Sequence, residues 1–73
     1  MNIYVIAWMN TDEEDISIMF INTDTPLQAL RIACEEILGE NCPLIYTIED
    51  ILCRMQECEI IISKPVLTPT SDN

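Results

Sequence analysis

The chain has 73 residues, with thirteen acidic residues, three basic residues and no histidine, so its formal net charge is −10. Its length limits it to one domain, and a hydrophobic content of 49% excludes the composition of a disordered chain. The charge disfavours direct contact with nucleic-acid phosphates or an anionic membrane surface, because both need a basic face on the protein.

The first two predicted elements are strands joined by an acidic loop. Residues 2–9 are rich in β-branched and aromatic residues, and both faces of the resulting strand are apolar. One face carries Ile3, Val5 and Ala7, and the other carries Tyr4, Ile6 and Trp8. Such a strand is covered on both sides, or covered on one side and adhesive on the other. Residues 16–21 form the second strand, and the short connection makes the two strands antiparallel.

A helix that begins after Thr25 has the clearest sequence signals. Thr25 suits the N-cap, Pro26 suits the first helical position, and Gln28 completes a capping-box pattern. Gly39 can end the helix in the left-handed conformation. The expected apolar stripe consists of Leu27, Leu30, Cys34, Ile37 and Leu38.

A shorter helix and a last strand follow. Thr47 is the expected N-cap of this second helix, Asp50 lies at its third position, and the helix runs to about residue 57. Its expected apolar face consists of Ile48, Ile51, Leu52 and Met55. Residues 58–66 return to strand character, and Pro65 confines this strand to a sheet edge or ends it.

The order of these elements is therefore ββααβ. We expect an α+β fold: a small two-layer sandwich in which a three-stranded antiparallel sheet, of order 2-1-3, carries both helices on one face. Residues 1–66 are expected to form a single compact domain, and residues 67–73 are expected to form a flexible C-terminal tail.

The four cysteines are Cys34, Cys42, Cys53 and Cys58, an even number that also suits disulfides. The first residues lack the features of a signal peptide, and no apolar run reaches the ~18 residues that span a bilayer. We therefore expect free thiols in a reducing cytoplasm. The spacings give no CxxC pair and histidine is absent, which argues against zinc and against a nucleophilic cysteine. No cofactor is expected, and redox activity of a thiol stays open.

The loop between the first two strands holds the leading candidate site. Its four consecutive carboxylates lack the alternating ligands and central glycine of a calcium loop, and no histidine or nucleophile accompanies them for catalysis. Four charges on a projecting hairpin suit recognition of lysines and arginines, although an ordinary solvated loop would look the same. The candidate contacts are Asp12, Glu13, Glu14 and Asp15, with Glu35, Glu36, Glu49 and Asp50 in support. Tyr4 and Trp8 are a candidate apolar interface, with a place in the core as the alternative.

In its size, its charge and its lack of an enzyme motif, the chain resembles the small acidic proteins that bacteriophages encode to block host enzymes. That group includes DNA mimics, restriction inhibitors and anti-CRISPR proteins. The resemblance implies a non-enzymatic inhibitor, in the host cytoplasm, that binds a basic surface of a nucleic-acid-handling or defence enzyme. The alternative is a self-associating structural or accessory module, a homodimer paired through apolar strand edges, whose charge serves solubility only.

Overall fold

The computed structural model describes residues 2–68, which form two helices packed on an antiparallel four-stranded sheet. In chain order the elements are β1 (Asn2–Asn10), β2 (Ser17–Thr23), α1 (Pro26–Leu38), α2 (Ile48–Glu57), β3 (Ile60–Ile62) and β4 (Val66–Leu67). The α+β class and the strand order β2-β1-β3 are confirmed. The sheet has four strands where three were predicted, because the last predicted strand is divided into β3 and β4, which both pair with β1.

An inserted residue divides the last strand. Trp8 pairs with Ile62, whereas Tyr4 pairs with Leu67, so the register against β1 shifts by one residue between β3 and β4. The shift occurs around Pro65, which has no N–H to donate to the ladder. One extra residue opposite a continuous strand is the arrangement of a β-bulge.

Ser63 bridges the bulge to β1. Its N–H donates to the Ala7 carbonyl at 2.8 Å, and its side-chain Oγ accepts from the Ala7 N–H at 3.0 Å.

The bulge also determines the face of the sheet on which Val66 lies. Because the register has shifted, Val66 lies opposite Val5, and a one-residue difference in register reverses the face on which a side chain lies.

The core lies between the helices and one face of the sheet. Tyr4 and Ile6 of β1 and Ile21 of β2 are buried on this face. The buried helix side chains are Ala29, Leu30, Ala33, Cys34, Ile51 and Met55. In α1 the fully buried positions therefore include two alanines outside the predicted stripe, since small side chains allow a helix to approach the sheet closely.

The predicted helix ends are confirmed. The Gln28 N–H donates to Thr25 Oγ1 at 3.2 Å, and Gly39 ends α1 with φ 70°. At the start of α2 the capping box is complete: the Asp50 N–H donates to Thr47 Oγ1 at 3.2 Å, and the Thr47 N–H donates to Asp50 Oδ2 at 2.9 Å.

The predicted domain boundary at residue 66 falls inside β4. Leu67 pairs with Tyr4, and Thr68 donates to the Ile3 carbonyl from both its N–H and its hydroxyl, each at 2.9 Å. These two residues, which were expected in the tail, are therefore bonded to β1. Residues 69–73 of the predicted tail, and residue 1, lie outside the described residues. Neither α1 nor α2 is long and apolar enough to cross a membrane.

Candidate functional site

The β1–β2 hairpin presents its four carboxylates, Asp12, Glu13, Glu14 and Asp15, to solvent. Asn10 shapes the turn, because its side-chain oxygen accepts from the Asp12 N–H and its carbonyl accepts from the Glu13 N–H, both at 3.0 Å. The Thr11 N–H donates to the Glu59 carbonyl at 2.9 Å, which ties the base of the hairpin to the residue before β3. The salt bridges found within residues 2–68 involve none of the four hairpin carboxylates.

Glu59 is a further exposed carboxylate at this end of the sheet, and sequence reasoning did not select it. Its φ is 61°, a left-handed conformation that residues other than glycine rarely adopt. The Glu59 N–H donates to the Gln56 carbonyl at 3.0 Å, so the residue closes the end of α2. The available signal was its position directly after Cys58, the C-cap of α2, where glycine is common.

Neighbouring carboxylates on the helices have different roles. Glu35 Oε2 accepts from the Cys42 N–H at 3.0 Å and thereby holds the loop between α1 and α2. Asp50 belongs to the capping box of α2. Glu36 and Glu49 are exposed, and the hydrogen bonds and salt bridges found within residues 2–68 do not involve their side chains. Two of the four supporting candidates thus stabilise the fold, while Glu36 and Glu49 present their charge to solvent.

The end of α1 carries a second concentration of negative charge. Glu35, Glu36 and Glu40 line an open depression there. Arg54 of α2 partly offsets this charge, because its Nη2 lies 2.7 Å from Glu40 Oε1 and its Nη1 lies 3.8 Å from Glu57 Oε1. The hydrogen bond that Arg54 donates to the Glu40 carboxylate raises the pKa of Arg54. No group of three or more potential ligands among residues 2–68 is arranged to hold a metal ion.

Cys34 and Cys42 line a cavity beside this surface together with Tyr46 and Arg54. Both thiols are buried, and burial together with the neighbouring Cys42 raises the pKa of Cys34 to about 11. The Cys34 thiol is therefore protonated at neutral pH and is a poor nucleophile. All four cysteines are free, and Cys53 is the exposed one.

The side of the sheet opposite the helices is apolar, and no helix or strand of residues 2–68 covers it. In one row across three strands, Phe20 and Val66 flank Val5 and are 71% and 61% exposed. We call this surface the open face; its residues are Ile3, Val5, Ala7, Met9, Ile16, Ile18, Phe20, Asn22, Ile61 and Val66. None of them carries a charge.

The two predicted interface aromatics lie on the other side of the sheet. Tyr4 is 5% exposed and belongs to the core, and Trp8 is partly buried against the core. Both are absent from the open face. The sequence indicated that both sides of β1 are apolar. It did not indicate which side the helices would cover and which would form the open face.

The molecule therefore has two surfaces of opposite chemistry. The hairpin and the exposed helix carboxylates form a negative surface, while the open face is uncharged and apolar. No family model, characterised protein or solved structure matches the chain. Its function is argued from the chemistry of these surfaces.

Proposed function

We propose that the protein is a non-enzymatic binding module that recognises a basic surface of a larger protein through its exposed carboxylates. The observation that carries this proposal is the hairpin of residues 12–15, in which four consecutive carboxylates are exposed and the turn that holds the first two is fixed by hydrogen bonds to Asn10. Carboxylates form strong charge-assisted bonds with arginine and lysine. A turn that is already ordered loses less conformational entropy on binding than a flexible loop would.

The proposed partner is an enzyme that handles nucleic acid or acts in defence, and the proposed effect is inhibition. Enzymes of this kind hold phosphates on surfaces rich in lysine and arginine, which complement a chain of net charge −10. Long-range attraction between such surfaces raises the association rate. The proposal places the protein in the cytoplasm, which is the host cytoplasm if a phage encodes it, and requires neither metal nor cofactor.

Affinity capture at two salt concentrations tests the proposal. The immobilised protein is incubated with bacterial lysate at about 50 mM and about 500 mM NaCl, and the affinity of each salt-sensitive partner is then measured with purified components. Duplex DNA should compete for the same partner. If DNA did not compete, the carboxylates of this protein would not occupy the surface on which the partner binds nucleic-acid phosphates.

Two variants that each remove the same number of negative charges locate the contact. The hairpin variant is Glu13→Gln/Glu14→Gln, and the helix variant is Glu36→Gln/Glu49→Gln. Each removes two exposed charges and leaves the bonded carboxylates Glu35 and Asp50 unchanged. We expect the hairpin variant to bind at least about tenfold more weakly at low salt, and the helix variant to lose less. Unchanged affinity in both variants would refute the electrostatic proposal, and equal losses would refute the leading role of the hairpin.

The alternative, a self-associating module whose charge serves solubility, is also favoured by a specific observation. The outer edge of β2 is unpaired among the described strands, and Ser17–Thr23 contains neither a charge nor a proline to prevent pairing with another chain. Sedimentation separates the two functions. A strict monomer excludes the alternative, whereas a stable dimer without a salt-sensitive partner excludes the first proposal.

A further inference from the structure

We propose that two copies of this chain stack through the open face, with strands running in opposite directions across the interface and the two hairpins at opposite ends of the dimer. This inference goes beyond the proposed function and does not rest on it, because it concerns the surface that lacks carboxylates. It assigns the open face to a second copy of the chain rather than to the proposed basic partner.

The chemistry of the open face selects an uncharged apolar occupant. Ile18, Phe20, Ile61 and Val66 are each more than half exposed on this face, and a basic protein surface would gain no ion pair there. Most monomeric proteins do not expose an apolar patch as large as the open face. A second copy of this chain exposes an identical patch and is always present wherever the protein itself is. Stacking also keeps both helical layers, with their carboxylates, on the outer sides of the dimer.

The size of the open face is sufficient for a specific interface. The nine residues of β1 span about 30 Å, and three strand positions side by side span about 14 Å. The footprint is therefore about 400 Å² per copy, and side-chain relief brings the total area buried by two copies to about 1,000 Å², where specific interfaces begin. A two-fold symmetric contact uses this one face on both copies.

Electrostatic repulsion decides the direction of stacking. All four hairpin carboxylates lie at one end of the sheet, beyond Asn10 and before Ser17. Parallel stacking would bring the two hairpins together, whereas antiparallel stacking separates them by about the length of β1, well beyond the Debye length of about 8 Å at physiological salt. Pairing of two β2 edges is less favourable, because antiparallel pairing would place Asp15 of one copy near Asp24 of the other.

The relief of the open face fits the same arrangement. A shallow apolar depression lined by Ala7, Met9, Ile16, Ile61 and Ser63 lies toward the hairpin end. Phe20, the most exposed large hydrophobic residue on the strands of this face, lies opposite Val5, just past the middle of β1 on the side away from the hairpin. Antiparallel stacking about the middle of β1 brings Phe20 of each copy toward the depression of the other copy, so that raised and hollow regions face each other.

Sedimentation equilibrium of the full chain tests the proposal. We expect wild type to be a dimer at about 50 µM, and Ile18→Thr/Phe20→Thr to weaken the dimer about 100-fold. Threonine suits a strand, and both side chains are exposed in the monomer, so the fold should persist in circular dichroism at low concentration. Val66→Thr provides an independent variant on β4. The matched control is Leu44→Ser/Ile45→Ser, which removes two still more exposed apolar side chains from the α1–α2 loop and should leave the dimer intact.

Several results would overturn the proposal. A monomeric wild type at about 100 µM would exclude the dimer. If Leu44→Ser/Ile45→Ser dissociated the dimer and Ile18→Thr/Phe20→Thr and Val66→Thr did not, the interface would lie elsewhere. Charge variants test the direction of stacking, because each copy has a net charge of −10 and salt screens repulsion in either direction. At about 50 mM NaCl we expect Glu13→Gln/Glu14→Gln to strengthen the dimer no more than Glu36→Gln/Glu49→Gln does, because the hairpins are far apart. A strengthening by the hairpin variant that is more than about tenfold larger would indicate juxtaposed hairpins.

Discussion

Glu59 combines an exposed carboxylate with a backbone conformation that suits glycine. Its φ of 61° follows the end of α2, where the chain turns back toward β3. A side chain in the left-handed region costs roughly 1–2 kcal/mol, part of which is offset in glycine by the greater freedom of the unfolded chain. We therefore expect Glu59→Gly to increase the free energy of unfolding by about 1 kcal/mol in urea titrations.

The control for this prediction is Glu59→Ala, which removes the same charge and keeps a side chain at the same φ. It should not stabilise the protein to the same degree. Equal stabilisation by both variants would indicate that repulsion between Glu59 and the hairpin carboxylates, rather than backbone strain, destabilises this end of the sheet.

Cys34 links the buried side of α1 to the pH dependence of stability. Burial raises its pKa from 9.0 to about 11, so between these values the unfolded chain releases a proton that the folded chain retains. The contribution of the buried, protonated Cys34 thiol to the free energy of unfolding is complete below pH 9 and is lost as the pH rises to about 11. Urea unfolding at pH 8, 9 and 10 should therefore show a decline that is smaller in Cys34→Ala. Identical slopes in the two proteins would contradict the raised pKa.

At the scale of elements, local signals were enough for the helices but not for the last strand. Thr25, Pro26 and Gly39 lie within a few residues of the atoms that they cap, and the bounds of α1 follow from them. The division of β3 from β4 depends on register against β1, fifty or more residues away along the chain. Pro65 indicated an interruption, but it did not reveal the inserted residue or the direction of Val66.

The bulge provides a test of this long-range element. Ser63→Ala removes the Oγ that accepts from the Ala7 N–H at 3.0 Å. We expect a loss of up to about 1 kcal/mol in unfolding free energy, because this side-chain hydrogen bond lies at an exposed position. Hydrogen exchange at the Ala7 amide should accelerate. Ser17→Ala, an exposed serine on β2, serves as control and should leave Ala7 exchange unchanged.

At the scale of the molecule, the negative surface was only partly predictable. The exposed hairpin follows from four consecutive carboxylates between two apolar strands. The structural role of Glu35 depends on the Cys42 N–H, which the fold brings to it across the α1–α2 loop, so the spacing of carboxylates did not distinguish Glu35 from Glu36. The open face depended on which side of β1 the helices cover, a choice that two apolar faces leave undetermined.

Separation of charge from apolar surface predicts that the two proposed contacts are energetically independent. Glu13→Gln/Glu14→Gln alters only the hairpin, and Ile18→Thr/Phe20→Thr alters only the open face. When the two pairs are combined, their effects on unfolding free energy should add within about 0.5 kcal/mol in the monomer. The hairpin pair should leave the dimer affinity within about threefold of wild type, because the hairpins lie outside the interface. Urea titration at low concentration and sedimentation of all four proteins measure both quantities. A larger coupling in unfolding free energy would mean that the hairpin and the open face interact within one copy, whereas a larger effect of the hairpin pair on dimer affinity would mean that the hairpin contacts the second copy.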